Sequence, residues 1–476
     1  VAELETDYLV IGAGAVGLAF VDTLLEEDPD ATFLFVDRHA KPGGHWNDAY
    51  SFVTLHQPSA IYGLESTPLG QDRIDTAGPN KGFYELASGA EVLAYFDNAM
   101  RDRLLPSGRV QYFPNCNYLG NHSFENLFSG ERQTVKVRRK VVDSTYFETS
   151  VPATHKRQFD VAEGVRIAIP GDLQDLWKQP EEIPENYVIL GGGKTAMDTG
   201  VWLLQAGVPA DRITWVRPRE SWFLNRAFIQ PGEQFFEKVI EGQTAIFEEA
   251  AKADNVDELF LALEERGFML RLDKDALPRM FHYPVISTGE IELLRQIENV
   301  VRMGRVTSIE ADRMVLKEGE VPVAPDTMFI DCTASAVRPK PTRPQFEPGL
   351  ITLQLLHVPL VTLNAAVTAV IEANFDTDEE KNALGMPVSF IDTIGGYAMT
   401  LLGTGMNRMA WANNPVLSKW LAQSRLDPSA RTVAWLQANA PERLAVVGKM
   451  MQASMAAGPN LQRLAMQAQQ QDNAAA

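Results

Sequence analysis

The sequence predicts an α/β protein built on two doubly wound parallel sheets, the second inserted into the first, with a helical segment at its C-terminal end. Three observations predict it. A short apolar run ends in a glycine-rich turn at residues 12–17, and the pattern repeats at residues 187–196. Strand-like patterns resume after residue 300 and lead into the most apolar stretch of the chain, residues 350–373. From about residue 376 onward the pattern is mostly helical.

The first run, Tyr8-Leu9-Val10-Ile11, reads as a strand buried on both faces. The turn after it is Gly12-Ala13-Gly14-Ala15-Val16-Gly17. In a dinucleotide-binding turn of this form Gly12 makes the bend and Gly14 lets the backbone approach a pyrophosphate. Gly17 lets the following helix pack on the strand. That helix is expected from Ala15 to Leu25, with its first amides directed at the phosphates. The next strand ends Phe35-Val36-Asp37-Arg38. Asp37 lies about twenty residues on, where an acid accepts from a ribose hydroxyl.

The second run is Tyr187-Val188-Ile189-Leu190, followed by Gly191-Gly192-Gly193-Lys194-Thr195-Ala196. Gly191 and Gly193 match the first two glycines, and Ala196 is small enough to replace the third. The following strand ends Trp215-Val216-Arg217-Pro218-Arg219, so Arg217 stands where a ribose-binding acid would otherwise be. A guanidinium there suits a 2′-phosphate, with Arg219 stacking or adding charge. The plainer reading makes both arginines solvated groups at a strand end. Lys194 is read either as a phosphate contact or as a solvated side chain. Acid after one turn and arginine after the other predict FAD at the first site and NADPH at the second, hence both Rossmann-type folds in one chain.

Composition narrows the classes. The 476 residues suffice for two or three domains, and 45% apolar with 22% charged residues is ordinary for a globular protein. A net charge of -19 argues against nucleic acid and anionic membrane surfaces as partners. The two cysteines, Cys116 and Cys332, are far apart and form no CxxC, so no dithiol relay is expected. Both read as small buried residues. The lack of a disulfide framework, and of a signal peptide ahead of Asp7, leads to a cytoplasmic expectation. No membrane span is expected, because residues 350–373 are interrupted by Gln354, His357, Pro359 and Asn364. They read as a strand, with Ile351, Leu353 and Leu355 alternating, followed by a buried helix. No metal site is expected, since no cluster has ligand spacing. No GxSxG elbow supports hydrolase chemistry.

The expected organisation runs in order. Residues 1–168 form the first part of an FAD-binding domain, with strands at 110–118 and 135–142 and an irregular stretch at 50–83. Residues 169–184 link it to the second unit. An NADPH-binding domain follows at 169–325, with a helical insertion at 231–267. Strands are expected at 306–309, 313–316 and 327–334, the last returning to the FAD-binding domain over 326–375. A helical C-terminal segment spans 376–476, packed down by Trp411, Trp420 and Trp435, with its last dozen residues frayed.

The chain resembles the flavoproteins with two dinucleotide-binding domains, and within them the flavin-containing monooxygenase-like group. The resemblance covers roughly residues 5–375 and rests on three features: the order of the two turns, Gly43-Gly44-His45-Trp46 after the ribose acid, and Asp331-Cys332-Thr333-Ala334 with Asp143-Ser144-Thr145 as its counterpart. The resemblance implies that Gly44, His45 and Trp46 lie beside the isoalloxazine. The FxGxxxH run of flavin-containing and Baeyer–Villiger monooxygenases is not present, and His56 and Gln57 stand where those enzymes place a flavin-facing asparagine.

The chemistry expected from that resemblance is hydride transfer from NADPH to flavin. Oxygen then reacts to a C4a-hydroperoxide, which oxygenates a small or medium apolar substrate. Trp46 would wall the pocket and Gln57 would hold the peroxide or the nicotinamide amide. His56 would move a proton, its ordinary pKa being near neutrality. The alternative for His56 and Gln57 is backbone bracing in a proline-bounded loop. A helix starting near Pro359 would face the flavin pyrimidine with Thr362 as donor, or be an ordinary core helix. Arg279-Met280-Phe281-His282-Tyr283 borders a substrate or is structural. Competing functions are an NADPH-dependent reductase or dehydrogenase with an organic acceptor such as a quinone, and a scaffold that keeps FAD without turnover. A homodimer is one candidate oligomeric state.

Overall fold

The computed structural model describes residues 4–147, 149–334, 337 and 340–475. The strand Leu4–Ile11 lies at the centre of the first sheet. It pairs in parallel with Phe33–Val36 on one side and Arg132–Asp143 on the other. Val110–Phe113 extends the first side, and Leu350–Thr352 then Phe346–Glu347 extend the second. The run Tyr8–Ile11 is apolar throughout because both faces are covered. The helices Ala15–Glu27 and Val361–Asn374 pack on each other and on one face, through Leu18, Phe20, Leu24, Val367 and Val370. The hairpin Cys116–Gly120 with Ser123–Asn126 covers part of the other face. Burying a side chain such as Phe20 or Phe35 stabilises by about 1.5–3 kcal/mol.

The second sheet is parallel throughout, in the order Asn299–Val301, Ile213–Val216, Asn186–Leu190, Thr327–Asp331, Arg166–Ala168. A small four-stranded sheet, ending in Asp160–Val161, packs against it through Ile309, Met314 and Leu316. The insertion holds the helices Phe236–Ala250 and Val256–Glu265. The C-terminal segment is helical, and its last helix, Ala445–Ala475, packs on Phe236–Ala250. Asn460 Nδ2 joins the two by donating to the carbonyls of Ala250 and Ala253 at 2.7 and 2.9 Å. No described helix is long and apolar enough to cross a membrane.

Several expected boundaries move. Thr327–Asp331 sits inside the second sheet, and the chain re-enters the first sheet only at Phe346–Glu347 and Leu350–Thr352. Asp160–Val161 and Arg166–Ala168, expected before the boundary at 168, pair within the second unit. The segment 169–184 is therefore a connection inside that unit and not a link between units. A continuous apolar run such as Met328-Phe329-Ile330 reports burial on both faces but not which sheet supplies the neighbours. The expected strand at 110–118 is two strands, broken at Pro114 and Asn115, where Asn115 has φ 54°. Trp411 is fully buried and Trp420 half-buried, but Trp435 is exposed. The last helix continues through Ala475 where fraying was expected.

Candidate functional site

The chain holds two backbone cradles, and each is built where sequence places a glycine turn. In the first, an added Cβ on Gly44 would lie 3.0 Å from the Gly14 Cα, and Gly44 has φ +56°. Two stretches of main chain, 12–14 and 43–44, thus meet with no side chain between them, tied by Gly43 N–H to Ala13 O at 2.8 Å. A Cβ on Gly17 would strike the Gly12 carbonyl, which explains the small residue there. Gly14 caps the helix beginning at Ala15 without a side-chain acceptor, so the first-turn amides suit an outside anion. Ser144 Oγ, from the turn after the adjoining strand, donates to Ile11 O and Gly12 O and supports this loop from below.

Asp37 is buried, and its Oδ2 accepts from Ala13 N–H at 2.6 Å. Its Oδ1 accepts from His39 N–H and meets His39 Nδ1 at 2.9 Å, while His39 Nε2 meets Asp48 Oδ2 at 2.9 Å. The Asp37 hydrogen bond, against some desolvation, raises the His39 pKa above its ordinary value, with Asp48 adding to it. Arg38 points to solvent. His39 was not legible as a site residue, although Asp-x-His is the local signal for it. Trp46 is buried in the core, with Nε1 donating to Tyr62 Oη at 2.9 Å. The exposed ring is His45, stacked on Trp46 at 5.5 Å.

In the second cradle Gly191 has φ +122°, and a Cβ there would lie 2.5 Å from Cys332 O. Gly193 caps the helix Lys194–Gln205, and a Cβ there would meet open space, which leaves room for a ligand backbone. Ala196 is fully buried against the sheet. Cys332 is buried too, and that burial pushes its thiol up to about 12. The arginines separate. Arg217 is 5% exposed, stacks on Trp215 at 4.9 Å, lies 3.5 Å from Glu220, and leaves its Nε without a hydrogen bond among the described residues. Arg219 is the exposed one, near Arg305 and Asp392.

Lys194 turns away from open solvent. Its ammonium pairs with Asp198 and lies 3.5 Å from Glu290. Glu290 Oε2 accepts from Arg226 Nη1 at 2.7 Å, and Arg226 is 1% exposed. Tyr50 Oη donates to Asp198 Oδ2 at 2.7 Å and also bonds the Thr195 side chain. Burial drives the Glu290 carboxyl up, but Lys194 and Arg226 outweigh it and hold it at about 2. Phe52 stacks on Trp202 at 5.0 Å, so the loop from the first unit is clamped along the second turn's helix.

His56 lies in that loop, its carbonyl facing Arg226 Nε at 3.4 Å. Burial lowers its pKa to about 3, with Lys194 and Arg226 adding to the effect. The imidazole is neutral near pH 7. Gln57 Nε2 reaches Ile61 O at 3.5 Å, a bracing contact. Thr362 is buried in the first turn of Val361–Asn374, and Leu360 caps that helix without a side-chain acceptor. Val361 packs with Val358, Val388, Phe147, Tyr283 and Phe390. Tyr283 has φ 56° and bonds the Thr400 side chain, and its irregular segment is joined to the C-terminal segment by Phe281 N–H to Asp392 O. The structure thus brings His56, Lys194 and Thr195 to one junction, with Arg226 and Glu290, which sequence reasoning missed. Tyr283 belongs to another group with Val361, the neighbour of Thr362, and Arg38 is exposed.

The two crossings between units end alike. Thr145 donates its N–H and Oγ1 to Asp143 Oδ1, and Thr333 makes the same pair of bonds to Asp331 Oδ1.

No profile of a known protein family matches the chain. An uncharacterized protein of Mycobacterium tuberculosis is 40% identical over 461 residues, covering 97% of this chain and 84% of the relative. An FAD-dependent monooxygenase of Aspergillus sclerotiorum is 25% identical over 219 residues, 44% of this chain and 36% of that protein. A solved structure of an oxidized steroid monooxygenase bound to NADP is 12% identical, with a TM-score of 0.48 over 94% of this chain and 98% of that one.

Proposed function

The chain belongs to the family of the mycobacterial protein that matches 97% of it, and from that premise we propose that it is an FAD- and NADPH-dependent monooxygenase. The observation that carries the reading is the pair of side-chain-free cradles, at Gly14 with Gly44 and at Gly193, each opening a helix capped by glycine. The partial match to an FAD-dependent monooxygenase supports it.

The residues fit the two cofactors. Gly12, Gly14, Ala15 and Gly17 would take the FAD pyrophosphate on backbone amides, and Asp37 would take the ribose. Gly191, Gly193, Lys194 N–H and Thr195 would take the second pyrophosphate. Arg219 is the better candidate for a 2′-phosphate, since Arg217 is buried on Trp215. Bound there, FAD would supply a hydride acceptor for nicotinamide and the electrons that split O2, one oxygen atom going to the substrate and the other to water. The chain's own part is to orient and to exclude water. Neutral His56 offers a hydrogen bond without a charge, and the Lys194–Glu290–Arg226 network fixes the junction where the two cofactors would meet. The N-terminal end of Val361–Asn374 stabilises negative charge nearby. Tyr283, Phe390, Phe147 and Val361 supply an apolar wall for an uncharged substrate.

The test is anaerobic reduction of the purified protein by NADPH, then rapid mixing with oxygen while flavin absorbance is recorded. A transient band before oxidised flavin returns is the expected result. Direct return in one step, with turnover of a quinone, would replace this reading with a reductase. No reduction would remove the second nucleotide site.

A further inference from the structure

The C-terminal helical segment carries no fingerprint, yet two of its side chains hold main chain that flanks the proposed flavin site. Arg425 lies between the helices Pro415–Leu421 and Ala430–Asn439. Its guanidinium donates to the carbonyls of Ala60 at 2.8 Å, Tyr62 at 3.0 Å and Leu64 at 2.7 Å. Its own N–H donates to Glu65 Oε1 at 3.1 Å, and Ser424 Oγ donates to Glu65 Oε2 at 2.7 Å. The gripped segment follows directly on His56 and Gln57. Tyr62 Oη accepts from Trp46 Nε1, so the grip reaches Gly43-Gly44-His45-Trp46 as well.

Asn407, 1% exposed in the helix Tyr397–Asn413, does the same on the other side. Its Nδ2 donates to Leu356 O at 2.8 Å and Met386 O at 2.7 Å, and its Oδ1 accepts from Met386 N–H at 3.2 Å. Leu356 lies just ahead of the helix Val361–Asn374. Both grips satisfy main-chain carbonyls of irregular segments that no sheet ladder orders. A carbonyl left unpaired on removal would pull such a loop toward water. The planar fork of arginine serves several carbonyls at once, which a lysine cannot.

We propose that Arg425 and Asn407 are positioning residues that set the two loops on either side of the flavin, making the C-terminal segment a working part of the active site. The inference rests on the monooxygenase reading. Small displacements at such loops are costly, since misplacing a reacting group by 1 Å can cost about a hundredfold in rate.

The test compares wild type, R425A, R425K and N407A as full chains loaded with FAD. Three readouts are taken: amide hydrogen exchange, the flavin absorbance spectrum, and hydrogen peroxide release after NADPH reduction. R425A is expected to speed exchange at 57–65 by about tenfold, to shift the flavin spectrum and to raise peroxide release. Millimolar guanidinium should reverse these changes, and R425K should not restore them. N407A should act on 355–360 instead. Exchange altered only at 422–430, with wild-type spectrum and peroxide release, would overturn the proposal and leave Arg425 as a peg for its own loop. If R425A does not fold, R425K decides between the same two outcomes. If wild type binds no FAD, the monooxygenase reading falls. Exchange in the unloaded proteins then still decides: altered 57–65 upholds the grip and unaltered 57–65 refutes it.

Discussion

Lys194 shows how a neighbour can overrule a motif. Its position at the head of a glycine turn suggests a phosphate contact, but Asp198 and Glu290 already neutralise it. K194M should therefore change NADPH affinity by less than about threefold, while leaving Asp198 without its cation and Glu290 with Arg226 alone. Breaking such a buried pair costs about 3–5 kcal/mol, readable as a lowered Tm. A loss of affinity above tenfold would return Lys194 to the phosphate. At the strand end, R219A should weaken NADPH by about tenfold, the worth of one charge-assisted hydrogen bond, and leave NADH unchanged in titration calorimetry. R217A should affect both nucleotides equally, because it removes packing on Trp215. His39 gives a pH dependence of known sign. Its folded pKa is raised by Asp37 and Asp48, so its contribution to stability is complete below about 6.5 and is lost as pH rises through the folded value. Denaturation midpoints of wild type and H39A should converge at alkaline pH, and parallel curves would exclude the effect. His56 runs the other way. Lowered to about 3, it stays neutral and should leave no inflection in activity between pH 5 and 8.

At the scale of elements, what could be read depended on whether the cause was local. The two glycine turns and the helices they open were legible, because a tight turn, a close approach and a cap all demand glycine at fixed spacing. The buried helix after residue 360 was legible from its mostly apolar composition, with too few polar positions to make an exposed face. Thr327–Asp331 was recognisable as a strand but not assignable to a sheet, since its partners lie more than a hundred residues away in sequence. Arg226, Asn407 and Arg425 carry no local signal, because their partners are carbonyls and carboxylates brought together only by the fold; Glu290 shows locally only as the acid of a Ser287 capping box, and the fold supplies its cations Lys194 and Arg226. Gly44 tests the first cradle directly. G44V would place a branched side chain at φ +56° and 3.0 Å from Gly14, and the purified protein should be colourless. A fully yellow variant would show that the pyrophosphate binds elsewhere.

At the scale of the whole molecule, the two units are held together by side chains from both. Tyr50, Phe52 and His56 of the first meet Asp198, Trp202 and Arg226 of the second, and the C-terminal helices reach back to each. The sheet that begins at Leu4–Ile11 is also completed very late. Its strand Arg132–Asp143 is met at its start by Ser123–Asn126, but its far end receives its outer partner only at Leu350–Thr352, about two hundred residues further along. On the ribosome, at about 5–20 residues per second, that strand waits with an open hydrogen-bonding edge for about 10–40 s. Such an edge is a template for pairing with another nascent chain. The production of this protein in cells should therefore be limited by chaperone supply during synthesis more than by the stability of the finished fold.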